Sequence, residues 1–243
     1  MYQTDKFVSY LKEWNIELNE TQVKQFIQYY ELLIEKNKVM NLTGITEWEE
    51  VVKKHFVDSL ALVKAVDLNG YYKILDLGTG AGFPGVPLKI AFPNLEIVLL
   101  DSLNKRIKFL QEVIDTLQLN GIEAYHGRAE EFAKKEEFRE NFDYVVSRAV
   151  ANLATLSEYC IPYVKINGKF IPYKSGEIME ELVQSKKAIH ILGGSLLEVK
   201  EFLLPDSDIG RSLVIIDKVQ STKKKYPRMG GKPSKEPLGR EIK

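Results

Sequence analysis

The run Lys73-Ile-Leu-Asp-Leu-Gly-Thr-Gly-Ala-Gly-Phe-Pro-Gly85 constrains this chain more than any other stretch. Ile74, Leu75 and Leu77 have the apolar character of a buried strand, and Gly78, Gly80, Gly82 and Gly85 follow within eight residues. Glycines at that density let a backbone turn through positive φ and come close to a ligand. Val86, Leu88, Ile90, Ala91 and Phe92 then predict a helix starting near Gly85, with its amino end toward whatever the loop holds. Strand, glycine turn and helix in that order predict a nucleotide-type cofactor site at the end of a strand; a tight turn with no ligand is the plain alternative.

Three cofactor classes use such loops. A Walker phosphate loop needs Gly-Lys-Ser/Thr, which does not occur here. The dinucleotide pattern G-x-G-x-x-G fits formally at Gly80, Gly82 and Gly85, but Pro84 removes an amide where a pyrophosphate wants a donor. Asp76, two residues before the first glycine, makes the run resemble the first motif of class I S-adenosylmethionine-dependent methyltransferases. That cofactor offers an amino group and a sulfonium to a carboxylate and has no phosphate to cradle. The next apolar run, 95–101, ends on Asp101 at the spacing where an acid accepts ribose hydroxyls. With Ser102 available to cap the helix predicted over 103–119, Asp101 is read as a free ribose ligand.

At 243 residues and 44% apolar content, the chain can bury a substantial core in one large α/β domain with an extension. Cys160 is the single cysteine, which excludes an internal disulfide framework and reads as a small buried hydrophobe. No run is long enough to span a bilayer and Met1 to Phe7 has no leader pattern, so a soluble, cytoplasmic monomer is expected. Net charge is zero but unevenly spread. Residues 221–243 hold eight basic residues against two acids, a net of +6, leaving −6 on the rest. With three prolines and few apolar residues, this stretch reads as an extended basic arm. Its lysines and Tyr226 suit an RNA that offers phosphates and stacking bases; a frayed, solvated terminus is the equal alternative.

The division expected is an N-terminal helical extension (1–70), a cofactor-binding domain (71–220) and the arm (221–243). Asn19-Glu-Thr-Gln22 has the form of a capping box before a helical pattern through Ile34, and Thr46-Glu-Trp-Glu49 is a second, opening a helix through Val63; 37–44 reads as a loop between them. His55 and Asp58 share a helix face. No metal is predicted, because His126 and His190 stand alone. After Asp101 the pattern gives strands at 122–126, 142–147 and 168–173, and helices at 129–138, 153–164 and 177–191. Strands at 196–203 and 213–218 follow one another directly, which predicts a hairpin with one antiparallel strand. The fold class expected is α/β: a Rossmann-like, seven-stranded, mostly parallel sheet of the class I methyltransferase type with an antiparallel hairpin at one edge.

Several motifs taken together resemble one family. They are Leu75 to Leu88, His55-Phe-Val-Asp-Ser-Leu60, Asn41-Leu-Thr43, Asp101-Ser-Leu-Asn-Lys-Arg106, Ser147-Arg-Ala149 and the arm's Tyr226-Pro-Arg and Gly231-Lys-Pro-Ser-Lys-Glu-Pro-Leu238. The set resembles the RsmG family, also called glucose-inhibited division protein B, of bacterial small-subunit (16S) ribosomal RNA guanine-N7 methyltransferases. Tyr173-Lys-Ser-Gly176 and Gly230 are small departures from the family's usual residues. The resemblance implies S-adenosyl-L-methionine as cofactor, with contacts at Gly78, Phe83, Ala129, Glu130 and Arg148 beside Asp76, Gly80, Gly82 and Asp101. It implies ribosomal RNA or the small subunit as partner, with Lys105, Arg106, Lys223, Lys224, Lys225, Arg228, Lys232 and Lys235 as RNA contacts. Arg148, His55, Asp58 and Lys174 are expected to orient the target base. Guanine N7 has an in-plane lone pair and no proton, so the chemistry needs alignment and no general base. The alternatives are a class I methyltransferase for a small molecule or protein, and a non-catalytic RNA-binding protein that keeps the fold.

Overall fold

The computed structural model describes residues 2–148 and 151–239. Ala149 of the Ser147-Arg-Ala149 motif, and Arg240, Glu241 and Lys243 of the arm, lie outside the described residues. The chain runs α1 (Thr4–Lys12), α2 (Glu20–Met40), α3 (Trp48–Val51), α4 (Asp58–Leu60), β1 (Lys73–Leu77), α5 (Gly85–Ala91), β2 (Glu96–Asp101) and α6 (Asn104–Thr116). It continues β3 (Ile122–His126), α7 (Ala129–Phe132), β4 (Phe142–Ser147), α8 (Leu153–Cys160), β5 (Val164–Ser175), α9 (Met179–Ile191), β6 (Gly194–Leu203), β7 (Gly210–Lys218) and α10 (Lys232–Lys235).

The seven strands lie in the order β3-β2-β1-β4-β5-β7-β6; β7 is antiparallel to both neighbours, and the other pairs are parallel. Alternate side chains go to opposite faces, as the two-residue period of a strand requires. Ile74, Ile97, Leu99, Val146 and Ile171 enter one core with Phe26, Leu33 and Phe56 of the N-terminal helices. Leu75, Val98, Leu100, Val145 and Phe170 enter the other with Leu153 and Leu156 of α8 and Leu182 and Ile189 of α9. Both faces are covered, which is why these strands read as unbroken apolar runs. The strand order reverses beside β1, and the carboxyl ends of β1, β2 and β4 open a crevice there, the usual place for a ligand in such sheets.

The N-terminal helices belong to that packing. Asn19 and Gln22 form the predicted capping box, each side chain taking the other's backbone amide at 2.9 Å. The Gln22 side-chain amide also donates to the carbonyls of Ile90 and Ala91 at 2.8 and 3.1 Å, so one buried residue starts α2 and closes the carboxyl end of α5.

Several expected boundaries move. α1 was not visible in the pattern, and α2 runs through the supposed loop to Met40, where Asn41 ends it in a left-handed conformation (φ 50°). The Asn37 side chain then folds the chain back, accepting from Leu42 and Thr43 amides at 2.6 and 2.9 Å. No capping box forms at Thr46; Glu47 takes the cap position without a side-chain bond. The helix that follows widens into a π turn over Val52–Val57. The helix expected over 129–138 stops at Phe132.

The arm is the largest revision, because it is not extended. Arg139 donates to the carbonyls of Thr222, Lys223 and Tyr226, and Tyr226 is buried in the core on the α8 side of the sheet. Lys218, fully buried, bonds Thr222 Oγ1 at 2.6 Å and Glu140 at 2.9 Å, while the Thr222 amide donates to the same glutamate at 2.7 Å. Burial of Lys218 pulls its pKa below the ordinary lysine value. A segment with few apolar side chains can thus be held against a core when its polar groups find buried partners there.

Replacing Gln22 by Ala removes a cap from two helices at once and leaves the end carbonyls of α5 bare. We expect Gln22→Ala to lower the unfolding free energy by about 1–3 kcal/mol in urea denaturation. An unchanged midpoint would show that α5 does not depend on this residue.

Candidate functional site

Gly78 and Gly80 carry φ of +73° and +63°, and a Cβ at either would project into open space. These two positions form the floor of a cradle. Gly82 and Gly85 have another use. A Cβ at Gly82 would stand 2.7 Å from the Tyr29 hydroxyl, and one at Gly85 would enter the Leu99 side chain. They let the loop and α5 press onto the core, so Gly82, expected to face the cofactor, faces Tyr29 instead. Tyr29 secures the same loop, donating to Ala81 O at 2.6 Å.

Asp76 is completely buried. Its Oδ2 accepts from Thr79 Oγ1 at 2.6 Å and from the Gly85 amide at 2.8 Å, and its Oδ1 has no partner. Burial raises its pKa to about 6 despite those two donors. The acid expected to meet the cofactor therefore ties the two ends of the glycine loop together.

Asp101 sits at the end of β2 with 3% exposure. It accepts from the Gly80 amide at 3.0 Å and the Leu103 amide at 2.9 Å, and pairs with Arg106 at 3.1 Å. It turns the chain just ahead of α6, whose start carries no side-chain cap from Ser102 or any other residue, and Arg106, expected on the RNA, is its partner. A carboxylate has about four acceptor positions, so with three donors in place one position, on Oδ1, remains for a hydroxyl. Asp101, Arg106, Gly78, Arg128, Ala129, Glu130 and Tyr159 line a cleft of about 330 Å³. Open space over Gly78 and Gly80, with Asp101 and the buried Glu130 on the walls, fits a nucleoside with hydroxyl and amine donors.

A second cavity of about 540 Å³ opens beyond the end of β4, lined by Lys54, His55, Asp58, Arg148, Tyr173, Lys174 and Arg211. The π turn makes it, bringing the Lys54 carbonyl, the His55 ring and, just after it, the Asp58 carboxylate to one guanidinium. Arg148 donates to Lys54 O at 3.2 Å, to Asp58 Oδ2 at 3.1 Å and to His55 Nδ1 at 3.3 Å. Arg211, which carried no sequence signal, takes the other Asp58 oxygen at 2.9 Å. Because an arginine only donates, His55 Nδ1 accepts, which leaves Nε2 to donate to Thr43 Oγ1 at 2.7 Å. The His55 ring stacks on Phe83 at 4.6 Å, and the Arg148 guanidinium lies 5.0 Å from the same phenyl ring. Phe83 is therefore a platform under the second cavity. Desolvation, then Arg148, drive the His55 pKa to about 3, so the ring is neutral near pH 7. Lys174 donates to Glu181 at 2.7 Å and to Ala151 O at 2.8 Å on the outer rim.

The structure thus groups His55, Asp58, Arg148 and Lys174 in one cavity and Gly78, Asp101, Ala129 and Glu130 in the other. It separates the arm's residues. Lys223, Lys224, Lys225, Lys232 and Lys235 are exposed, as is Lys105. Arg228 instead holds the fully buried Glu158 of α8 through bonds of 2.9, 3.2 and 2.7 Å.

A family model described as GidB, rRNA small subunit methyltransferase G, matches residues 22–210. The chain belongs to this family. It is 56% identical over 241 residues to the ribosomal RNA small subunit methyltransferase G of Lachnoclostridium phytofermentans, covering 99% of this chain and all of that one. It is 52% identical to the protein of the same name from Desulforamulus reducens, covering 93% and 95% of the two chains. Among solved structures, a putative sarcosine dimethylglycine methyltransferase from Galdieria sulphuraria superposes with a TM-score of 0.51 at 13% identity, over 68% of this chain and 84% of that one. TrmN from Thermus thermophilus gives 0.52 at 14%, over 67% and 48%. These two likenesses show the class I methyltransferase sheet, with its antiparallel β7. Among the described residues no helix is long and apolar enough to cross a membrane.

Two measurements separate the roles of these residues. Gly80→Ala strains a left-handed position by about 1–2 kcal/mol yet places a methyl group in the cradle, so it should weaken cofactor binding far more than stability. Gly85→Ala should do the reverse and fall mainly on the melting temperature. The pH dependence reports on His55. Its folded pKa of about 3 lies below the unfolded 6.5, so the unfolded chain takes up the extra proton and stability drops as pH falls from 6.5 toward 3. Asp76, raised from 3.8 to about 6, acts in the opposite sense between those values. His55→Gln should therefore flatten the loss of stability on acidification, and an unaltered slope would show that His55 is not buried neutral.

Proposed function

We propose that the chain transfers the methyl group of S-adenosyl-L-methionine to N7 of a guanine in small-subunit ribosomal RNA. The observation that carries this reading is the pair of cavities at the strand ends, one holding Asp101 and Glu130 beside the open glycine turn and the other holding Arg148 and Arg211 paired to Asp58. The family description and the relatives' names supply the substrate class. When bound, the cofactor supplies an electrophilic methyl group on a sulfonium.

The chain's own residues do the placing. Asp101 and Glu130 would take the hydroxyls and amine of the nucleoside, and Gly78 and Gly80 leave room for the backbone to close on it. Beyond Phe83, Arg148 is fixed by Asp58, His55 and the Lys54 carbonyl, in position to donate to O6 on the Hoogsteen edge of a guanine and leave the neighbouring N7 lone pair free for the methyl group. Asp58 and Arg211 hold it there. His55 is already bonded at both ring nitrogens and neutral, and an in-plane lone pair has no proton to give up. Positioning alone can contribute about 7–11 kcal/mol. The exposed lysines of the arm and Lys105 would meet the phosphates, giving binding that weakens with salt.

The test is transfer from labelled S-adenosylmethionine to small-subunit RNA, or subunits, lacking the modification, with the labelled base identified. Label at guanine N7, a rate insensitive to pH between about 7 and 9 and a fall of about 100-fold in Arg148→Ala would support the reading. Cofactor binding without labelled RNA would sink it and point to a small-molecule or protein acceptor.

A further inference from the structure

The arm, assigned above only to RNA, also touches the cofactor cleft. Thr155, Glu158 and Tyr159 lie on one face of α8 at helical spacing, and each meets the arm. Thr155 Oγ1 donates to Pro233 O at 3.0 Å, Glu158 is held by Arg228, and the Tyr159 hydroxyl lies 3.2 Å from Ser234 Oγ. Arg228 closes the arm on itself as well, donating to Glu236 O at 2.6 Å. Tyr159 and Glu130 both line the cofactor cleft, and the Gly231 amide stands 3.4 Å from Glu130 Oε1. Segment 226–236 therefore runs from a buried ion pair to the two cleft residues farthest from the glycine loop in sequence.

We propose that this segment braces Glu130 and Tyr159 from behind at the nucleoside end of the cofactor cleft, and that Arg228 is a positioning residue that anchors the brace through Glu158. Glu158, fully buried, is the reason the brace is firm. A buried carboxylate needs a partner, so leaving the docked state exposes a charge to lost hydrogen bonds. With the arm away, Glu130 and Tyr159 lose the neighbours that hold their side chains toward the nucleoside. The inference rests on the cofactor reading above. It adds that the arm retains the cofactor independently of RNA.

Arg228→Ala removes the latch. Gly231→Pro leaves the ion pair in place but removes the amide at Glu130 and cannot adopt the φ of +71° found there, so it decides the matter if the first variant fails to fold. Binding of S-adenosylhomocysteine to full-length protein without RNA should be about tenfold weaker in each. KM for the cofactor should rise with kcat at saturating cofactor largely kept, and Arg228→Lys should recover part of the affinity. In the parent, S-adenosylhomocysteine should slow amide exchange over 226–236, since coupling between sites is reciprocal. Unchanged affinity with the arm shown free by exchange overturns the inference, as does a loss of kcat alone, which would confine the arm to RNA. No binding by the parent overturns the cofactor reading and this inference with it.

Discussion

The carboxylate of Asp58 joins three parts of the chain that share no sequence neighbourhood. One oxygen takes Arg148, from the end of β4, and the other takes Arg211, from the start of β7. Asp58 itself follows the π turn of the N-terminal helices and has 2% exposure. Losing the carboxylate would leave two half-buried guanidiniums facing each other without a counter-charge, whereas losing one arginine would leave a carboxylate oxygen without its donor. The shape of the second cavity is set by the N-terminal helices as much as by the sheet, which gives those helices a task beyond covering one face.

The glycine loop shows a division of labour that glycine spacing alone does not reveal. Gly78 and Gly80 face open space, while Gly82 and Gly85 admit Tyr29, Leu99 and Asp76. All four look equivalent as letters. They differ because the first two lie where the chain leaves the sheet and the last two where it returns to the core. Asp76 marks the same boundary: a conspicuous acid in a strand draws a ligand-binding reading, yet its oxygen is taken up by Thr79 and Gly85.

The seven strands and the fold class were legible because buried parallel strands have a continuous apolar pattern and the last two strands lack a helix between them. Candidate residues could be picked out where they sit at strand ends, as with Asp101 and Arg148, which line the two cavities. It was not legible where the partner comes from far along the chain. Arg211 lies 153 residues from Asp58, and nothing local distinguishes it from a surface arginine. The arm was misread for a related reason. Composition without apolar bulk suggests solvation, but Arg139, Lys218 and Glu158 present buried polar partners that such a segment can satisfy, and those partners lie elsewhere in the sequence.

The order in which the chain is made gives the antiparallel β7 a temporal meaning. The five strands paired in parallel, the glycine loop and Asp101 precede residue 176, so the sheet's cradle is encoded before β6 begins. Until 210–218 leave the ribosome, β5 has a bare edge and Asp58 only one guanidinium. Emerging chains fold from their amino-terminal side, and here the cavity at the end of β4 is completed by one of the last elements to appear. A chain interrupted before β7 would thus possess most of the sheet and lack the second guanidinium on Asp58.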